Sequence, residues 1–225
     1  VPVPEGRAVA SAEDAWDAAE DIGLPVAVKP SDGNHARGVS LNLKTRDEVM
    51  SAFTAAQQEG SEVLVERFIP GQEHRLLVVG GKVVAATRGE IIRVSGDGRS
   101  SIGQLIDAHV NTDPRRGVEE HLPLETLRHD DPVLLLLLQR QGLAIDSVLP
   151  RGESAVVQRT GNMSIDVTGQ VHPDVAELVA LATRVVGLDI AGIDLVAEDI
   201  GQPLAAQGGA IVEVNAGPGL LMHLK

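Results

Sequence analysis

The chain contains no cysteine, which excludes disulfide bonds, thiolate metal sites and a thiol nucleophile. Aromatic residues make up only 1% of it, so there is little surface on which nucleic-acid bases could stack. The formal charge of −13 also argues against nucleic acid, whose phosphates attract basic surfaces. No apolar run approaches the roughly 20 residues of a membrane span, and no signal-peptide pattern opens the chain. We therefore expect a cytoplasmic protein without nucleic-acid or membrane partners.

What is present indicates a mixed fold. At 225 residues and 43% hydrophobic content, the chain can bury one core or two lobes that share a cleft. Its clearest hairpin joins Leu76–Val79 to Lys82–Ala85 through two glycines. Pro173 begins a long predicted helix, and predicted strands at Ile190–Ala197 and Ala210–Val214 follow. The predicted class is α+β with largely antiparallel sheets.

The strongest chemical pattern lies near the C-terminal end. Glu213 and Asn215 alternate along a predicted strand, so their side chains share one face. Asp194 comes from the neighbouring predicted strand. Two carboxylates and an amide oxygen suit Mg²⁺, which takes oxygen ligands and bridges substrate phosphates. The alternative is a strand end with solvated acids before a Gly-Pro turn.

A second pattern follows the predicted strand that ends at Lys29 and Pro30. The polar loop Ser31–Gly38 contains glycines, and its backbone N–H groups could bind phosphate oxygens. Lys29 and Arg37 would add positive charge. A strand rather than a helix follows, which excludes a Walker A loop and predicts a hairpin lid. An ordinary polar turn is the alternative.

A third pattern runs from Glu66 to Glu73 across a Pro-Gly turn. The backbone of the strand that leads into the turn could hold adenine. The carboxylate of Glu73, just beyond the turn, could accept hydrogen bonds from ribose hydroxyls. Solvated surface acids are the alternative here.

In this order, the three patterns resemble the ATP-grasp superfamily, which includes D-alanine–D-alanine ligase and glutathione synthetase. Val-Lys-Pro-Ser-Asp-Gly-Asn-His, Pro-Gly-Gln-Glu-His-Arg-Leu-Leu-Val-Val-Gly-Gly and Gly-Gly-Ala-Ile-Val-Glu-Val-Asn-Ala-Gly-Pro-Gly are similar to strings in the ATP-grasp domain of the cyanophycin synthetases. The resemblance implies an ATP-grasp fold, with an N-terminal lid lobe over residues 1–70 and a C-terminal lobe over 71–225. It also implies a fragment that lacks an N-terminal domain and a C-terminal Mur-ligase-like domain.

The resemblance implies a role for each matching residue. ATP would be held by residues of the lysine strand, the lid and the hinge: Lys29, Ser31, Gly33, Asn34, Arg37, Gly38, Glu66, Phe68, Ile69 and Glu73. Catalytic roles fall to Arg88 at the γ-phosphate and to Arg159 and Asn162 at an acyl-phosphate. Mg²⁺ ions would be held by Asp194, Glu213 and Asn215. His35 and Arg75 would contact the peptide substrate, although a solvated loop histidine is the alternative for His35.

The reaction implied by the resemblance is amide-bond formation by an ADP-forming ligase. Aspartate would be added to the C-terminus of a poly-aspartate backbone through an acyl-phosphate, with an aspartyl-arginine polymer as primer. The full-length enzyme would be a homo-oligomer. Two alternatives stay open: another ATP-grasp peptide ligase, glutathione-synthetase-like or protein-glutamylating, and an inactive nucleotide-binding module.

Overall fold

The computed structural model describes residues 1–32, 37–117, 122, 124–159 and 163–218. The helices are α1 (Ala12–Ile22), α2 (Arg46–Gln57), α3 (Ile102–His109), α4 (Pro132–Gln139), α5 (Pro173–Val186) and α6 (Leu204–Gln207). The strands are β1 (Gly6–Val9), β2 (Val26–Pro30), β3 (Ser40–Leu43), β4 (Val63–Arg67), β5 (Gln72–Val79), β6 (Lys82–Gly89), β7 (Ile92–Ser95), β8 (Arg116–Gly117), β9 (Leu124–Glu125), β10 (Ser154–Gln158), β11 (Met163–Asp166), β12 (Ile190–Ala197) and β13 (Ala210–Asn215). Within these ranges, no helix has the length and apolar composition needed to cross a membrane.

The elements form two compact units that are interleaved along the chain. Unit I comprises Glu5–Phe68 and Ile91–Asn162, and unit II comprises Val1–Pro4, Ile69–Glu90 and Met163–Lys225. This division differs from the single boundary predicted between residues 70 and 71. Sequence patterns indicate which segments are helices or strands, but they do not show that the chain returns to unit I after the hairpin. As a boundary between ATP-grasp lobes, position 70/71 stays a prediction.

Unit I contains an antiparallel sheet with the strand order β1-β4-β2-β3. Helices α1 and α2 cover one face of it, and their alanines pack on Val26, Val28, Val63 and Val65. Both helices begin where the sequence supplies a cap: the Ser11 hydroxyl accepts from Asp14 N, and Thr45 forms a capping box with Glu48. Because side chains alternate along β2, Lys29 lies on the sheet face opposite these helices.

The rest of unit I is built around a second apolar cluster. Strands β7 and β10 pair antiparallel, and α3 and α4 pack against them through buried residues that include Ile106, Leu134 and Leu138. The neighbouring β8 and β9 pair in parallel over two residues each. Helix α4 also contacts α2, so both parts of unit I belong to one compact body.

Unit II is built on an antiparallel sheet with the order β11-β6-β5-β12-β13. Helix α5 packs on one face through Val175 and Val179, against apolar side chains such as Leu76 and Ile193. The turn between β5 and β6 is Gly80-Gly81, and both glycines have positive φ, as a tight two-residue hairpin requires. The opposite face of this sheet carries the polar side chains described below.

Most predicted elements are confirmed, as is the α+β class. Helix α5 begins at Pro173, and β12 has the predicted bounds. The short strands β1, β7 and β11 were not predicted, because four residues without clear alternation carry little signal. The two-residue strands β8 and β9 were not predicted either.

Candidate active site

A row of polar residues crosses the whole unit II sheet on the face opposite α5. Directly opposite partners in neighbouring strands are Asp166 and Thr87, Thr87 and Arg75, Arg75 and Asp194, and Asp194 and Glu213. Alternate residues of β5 and β12, such as Leu76 and Ile193, pack under α5, so their neighbours point to the other face. Antiparallel pairing therefore brings together residues that are up to 138 positions apart in sequence, the separation of Arg75 and Glu213.

Asp194 is the centre of this row. It is 2% exposed, and its carboxylate accepts a hydrogen bond from Arg75 Nε at 2.5 Å and another from the Arg75 Nη2 group. Asn215 Nδ2 donates to Asp194 Oδ2 at 3.3 Å. Burial alone would lower the pKa of Arg75, but its hydrogen bonds to Asp194 and the charge of that carboxylate raise it overall. Arg75 and Asp194 thus form a charged pair.

Arg75 compensates the negative charge of Glu213 less fully than that of Asp194. The pKa of Glu213 is raised, first by desolvation of its carboxyl group and then by the neighbouring charge of Asp194. Asn215 and Arg75 act in the opposite direction without cancelling these effects. The residue as a whole is exposed, so a ligand can reach it. Two carboxylates that repel each other on an accessible face favour an additional cation.

The donor set of this cluster fits Mg²⁺. Asp194, Glu213 and Asn215 offer only oxygen ligands, and the raised pKa of Glu213 is the effect that a nearby cation would reverse. Within the described ranges, this cluster included, no group of three or more His, Cys, Asp or Glu side chains is arranged to hold a metal, so a metal site here would rest on two carboxylates and the Asn215 amide oxygen. Strand pairing brings the predicted trio together, with Arg75 and Glu73 beside it. Glu73 lies two residues before Arg75 on β5, on the same face.

The sheet does not bring Arg88 to this face. Arg88 pairs with His74 and Ile165, and Ile165 packs against the core under α5. A β-bulge in the hairpin, where Val84 is the extra residue, reverses the alternation of β6 beyond it. Without the bulge, Arg88 would share the face of Arg75. Its Nε is buried without a hydrogen-bond partner in the described part of the chain.

In unit I, two predicted ATP-binding residues contact each other. Lys29 Nζ forms an ion pair with Glu66 Oε2 at 2.8 Å, and both side chains are about four-fifths buried. Glu66 lies opposite Ala27 on β2, so it and Lys29 are diagonal neighbours on the face away from α1 and α2. At the end of β4, Phe68 N donates to Pro25 O at 3.1 Å, which fixes the start of the predicted hinge. Ile69 follows at the beginning of unit II.

The remaining predicted residues lie in loops. Ser31 N donates to Glu62 O at 2.9 Å, and Arg37 makes ion pairs with Glu59 and Glu125, each at 3.6 Å. Gly38 has φ +71, and a Cβ there would lie 3.1 Å from the Ala56 backbone. Arg159 follows β10. Gly33, Asn34, His35 and Asn162 lie outside the described residues.

Two polar residues of the row were not predicted. Thr87 is 2% exposed, and its hydroxyl has no hydrogen-bond partner in the described chain. Asp166 accepts hydrogen bonds from the backbone and hydroxyl of Thr168. Both positions follow from strand register alone, which neither composition nor spacing reveals.

Comparisons with known proteins identify similar sequences along the whole chain. The family described as carbamoyl-phosphate synthase L chain, ATP binding domain, matches residues 1–102. A cyanophycin synthetase of Synechocystis sp. is 41% identical over 232 residues, which cover 100% of this chain and 26% of that protein. The glutathione biosynthesis bifunctional protein GshAB of Streptococcus mutans is 33% identical over 234 residues, which cover 99% of this chain and 30% of that protein. The chain thus spans about a quarter of the length of the cyanophycin synthetases that it matches.

Solved structures share the fold. A bifunctional glutathione synthetase from Pasteurella multocida aligns with a TM-score of 0.54 and 27% identity, covering 100% of this chain and 31% of that one. A D-alanine–D-alanine ligase from Bacillus anthracis aligns with a TM-score of 0.51 and 16% identity, covering 98% and 52%.

Proposed function

The chain belongs to the ATP-grasp superfamily, and we propose that it is the domain of an ADP-forming ligase that adds aspartate to the C-terminus of a poly-aspartate chain. The observation that carries the proposal is the cluster of Asp194, Glu213 and Asn215 with Arg75 on one sheet face, where Glu213 is exposed. The 41% identity with a cyanophycin synthetase over the whole chain supports the choice of substrate.

ATP is the nucleotide of this proposal. Lys29, with the lid residues Ser31, Arg37 and Gly38, would bind its phosphates. Glu66, Phe68 and Ile69 would bind adenine, and Glu73 the ribose. The lid residues Gly33 and Asn34, which lie outside the described chain, complete the proposed set. The Lys29–Glu66 ion pair would keep the ammonium group ordered before nucleotide binds. The Glu66 carboxylate would then compete with the ATP phosphates for that ammonium group.

Asp194, Glu213 and Asn215 would hold Mg²⁺. Bound there, the metal would offset the negative charge of the ATP phosphates. Arg75 orients Asp194 through its two hydrogen bonds, so that this carboxylate presents fixed oxygens. Asn215 fixes the same carboxylate from the other side.

The proposed reaction needs no nucleophile from the protein. The carboxylate of the growing chain attacks the γ-phosphorus of ATP, the bond to the β-phosphate oxygen breaks, and ADP leaves. The amine of aspartate then attacks the acyl carbon, phosphate leaves, and the amine loses a proton. Positive groups that balance the transferring phosphoryl group are the main requirement. Arg159 and Asn162 are proposed for the acyl-phosphate, and His35 and Arg75 for the peptide.

The proposed partners are aspartate and an aspartyl-arginine polymer primer, acted on by a homo-oligomeric full-length enzyme. A glutathione-synthetase-like ligase is the second candidate, because the 33% identity with GshAB also extends over nearly the whole chain. Both candidates use the same cluster. They differ in the carboxylate and the amine that are joined.

Two measurements test the proposal. ADP release by the full-length protein should require aspartate with an aspartyl-arginine primer, and release with glutathione precursors alone would favour the second candidate. Calorimetry should show much tighter binding of a non-hydrolysable ATP analogue with Mg²⁺ than with EDTA. Glu213→Gln should reduce the Mg²⁺-dependent gain in affinity for the ATP analogue roughly tenfold or more. Glu177→Gln, at an exposed position on α5, should leave this gain unchanged. Equal affinities with and without Mg²⁺ would remove the metal assignment.

A further inference from the structure

Helix α5 carries an apolar stripe on the side that faces away from the sheet. Leu178, Leu181 and Val185 are spaced by three and four residues, which places them in one line along the helix. Leu178 is half-buried against the core of unit II, whereas Leu181 is 42% exposed and Val185 is 74% exposed. The residues that bind α5 to the sheet, such as Val175 and Val179, lie on another side of the helix. The stripe is therefore exposed apolar surface.

Charged residues flank the stripe, and their sign changes along the helix. Glu177 and Arg184 are seven residues apart, so both lie on the same side of the stripe, and both line an open groove of about 690 Å³ between α5 and the start of β6. Asp174 adds negative charge near Glu177. Lys82 adds positive charge near Arg184, because it follows Gly81, where a Cβ would lie 3.9 Å from an Nη atom of Arg184. The groove thus has an acidic end and a basic end.

The charges at the two ends do not compensate each other within the helix. Seven residues correspond to a rise of roughly 10.5 Å along the helix axis. In the described part of the chain, neither Glu177 nor Arg184 forms a salt bridge. A partner that covers the stripe should therefore offer apolar side chains flanked by charges in the reverse order.

A second copy of α5 that runs antiparallel to the first has this pattern. In a two-fold symmetric contact, each residue meets the same set of partners on both copies. An axis beside Leu181 sets the acidic end of each groove against the basic end of the other, with Glu177 of each copy near Arg184 of the second. Apolar residues at 178, 181 and 185 with charges at 177 and 184 are also the arrangement of a coiled-coil seam.

We propose that α5 forms a homodimer contact, in which the stripe of Leu178, Leu181 and Val185 packs antiparallel on the same stripe of a second copy and Glu177 pairs with Arg184 across the two-fold axis. The proposal rests on the homo-oligomeric state proposed above, for which it supplies a surface, and not on the ligase reaction. Helix α5 covers the sheet face opposite the Asp194 cluster, so the contact does not use the proposed metal-binding face.

Disulfide cross-linking of the full-length protein tests the position of the two-fold axis. These 225 residues contain no cysteine, so Leu181→Cys places a single thiol in the domain, close to its counterpart in the second copy. Mild oxidation should give a covalent dimer on a non-reducing gel. Leu135→Cys on α4 is the matched control, because Leu135 is 40% exposed and lies outside the proposed contact. The protein without either substitution gives the background from cysteines elsewhere in the full-length chain.

Charge reversal in the Leu181→Cys protein tests the pairing. Glu177→Arg or Arg184→Glu alone sets like charges opposite each other, so each should slow cross-linking by about tenfold or more. The two reversals together restore opposite charges and should return the rate to within about threefold of the Leu181→Cys value. A folding defect in either single variant would not be rescued by the second reversal.

Cross-linking of Leu181→Cys no faster than that of Leu135→Cys overturns the proposal. So does a double reversal that cross-links as slowly as the single ones, or single reversals that leave the rate unchanged. The measurement needs neither nucleotide nor Mg²⁺. Its failure would therefore leave the proposed reaction untouched, and loss of ADP release would leave the proposed contact untouched.

Discussion

Arg75 and Asp194 lie directly opposite each other on β5 and β12, and the arginine donates hydrogen bonds to both carboxylate oxygens. Asp194 is almost fully buried, so Arg75 is its main compensating charge. The pair links the centre of the sheet to the proposed metal site. The free energy of unfolding of the protein should therefore depend both on this pair and on Mg²⁺ binding.

Replacing Arg75 should make the protein depend on Mg²⁺ for stability. Arg75→Ala leaves the Asp194 carboxylate buried beside Glu213, and breaking such a pair costs about 3–5 kcal/mol. Mg²⁺ binds only the folded cluster and should restore part of this loss. Denaturation with and without MgCl₂ measures the effect, with the exposed Arg184→Ala as control. An equal effect of Mg²⁺ on both variants would contradict the metal assignment.

Lys29→Ala should lower turnover of the full-length enzyme by ~10² or more, as loss of a charge-stabilising contact does. The free energy of unfolding should also fall, because the substitution leaves the four-fifths-buried Glu66 carboxylate without this ion pair. Steady-state ADP release and thermal denaturation separate the two effects. Lys44→Ala, an exposed lysine of the same unit, is the matched control. Near-normal turnover in Lys29→Ala would place the phosphates elsewhere.

Arg88→Ala tests whether Arg88 contacts the γ-phosphate, as predicted from the sequence, or lies away from the nucleotide, as the strand register indicates. Because Arg88 lies on the α5 face beside His74, its loss should leave the Mg²⁺-dependent gain in nucleotide affinity unchanged. It should also raise the pKa of His74, since the charge of Arg88 lowers it. Calorimetry and NMR titration measure these quantities. A ~10² loss of turnover at unchanged melting temperature would instead support the γ-phosphate role.

His74 should make the protein less stable in mild acid. Burial, more than the charge of Arg88, lowers its pKa below 6.5, while its hydrogen bond to Gln72 O opposes the shift. As the pH falls through 6.5, the unfolded chain takes up the proton first, so the free energy of unfolding decreases until the lowered pKa is passed. Chemical denaturation across this range should show a slope that His74→Leu flattens. The exposed His109→Gln should keep the slope, and an unchanged slope in His74→Leu would exclude this origin.

Local signals predicted much of the fold. Helix α5 begins at Pro173 and ends at Gly187, and the hairpin turns at Gly80-Gly81. Each of these features depends on the backbone angles that the residue itself favours, so it can be predicted from a few neighbouring residues. The proximity of Asp194, Glu213 and Asn215 was also predictable, because Glu213 and Asn215 share a strand and Asp194 lies in the next one.

What the sequence could not provide is register. Val84, the extra residue of the β6 bulge, looks like any other strand valine, yet it decides that Arg88 and Arg75 lie on opposite faces. The place of Asp166 and Thr87 in the polar row depends on the same pairing.

The interleaving of the two units has a consequence for how this domain can be divided or exchanged. The chain passes from one unit to the other after Pro4, Phe68, Glu90 and Asn162. A single cut within Glu5–Asn162 leaves at least one unit split between two fragments, and a single-crossover chimera there makes at least one unit a hybrid of two parents. Engineering by module swapping should therefore treat the 225 residues as one cassette, or replace Val1–Pro4, Ile69–Glu90 and Met163–Lys225 together.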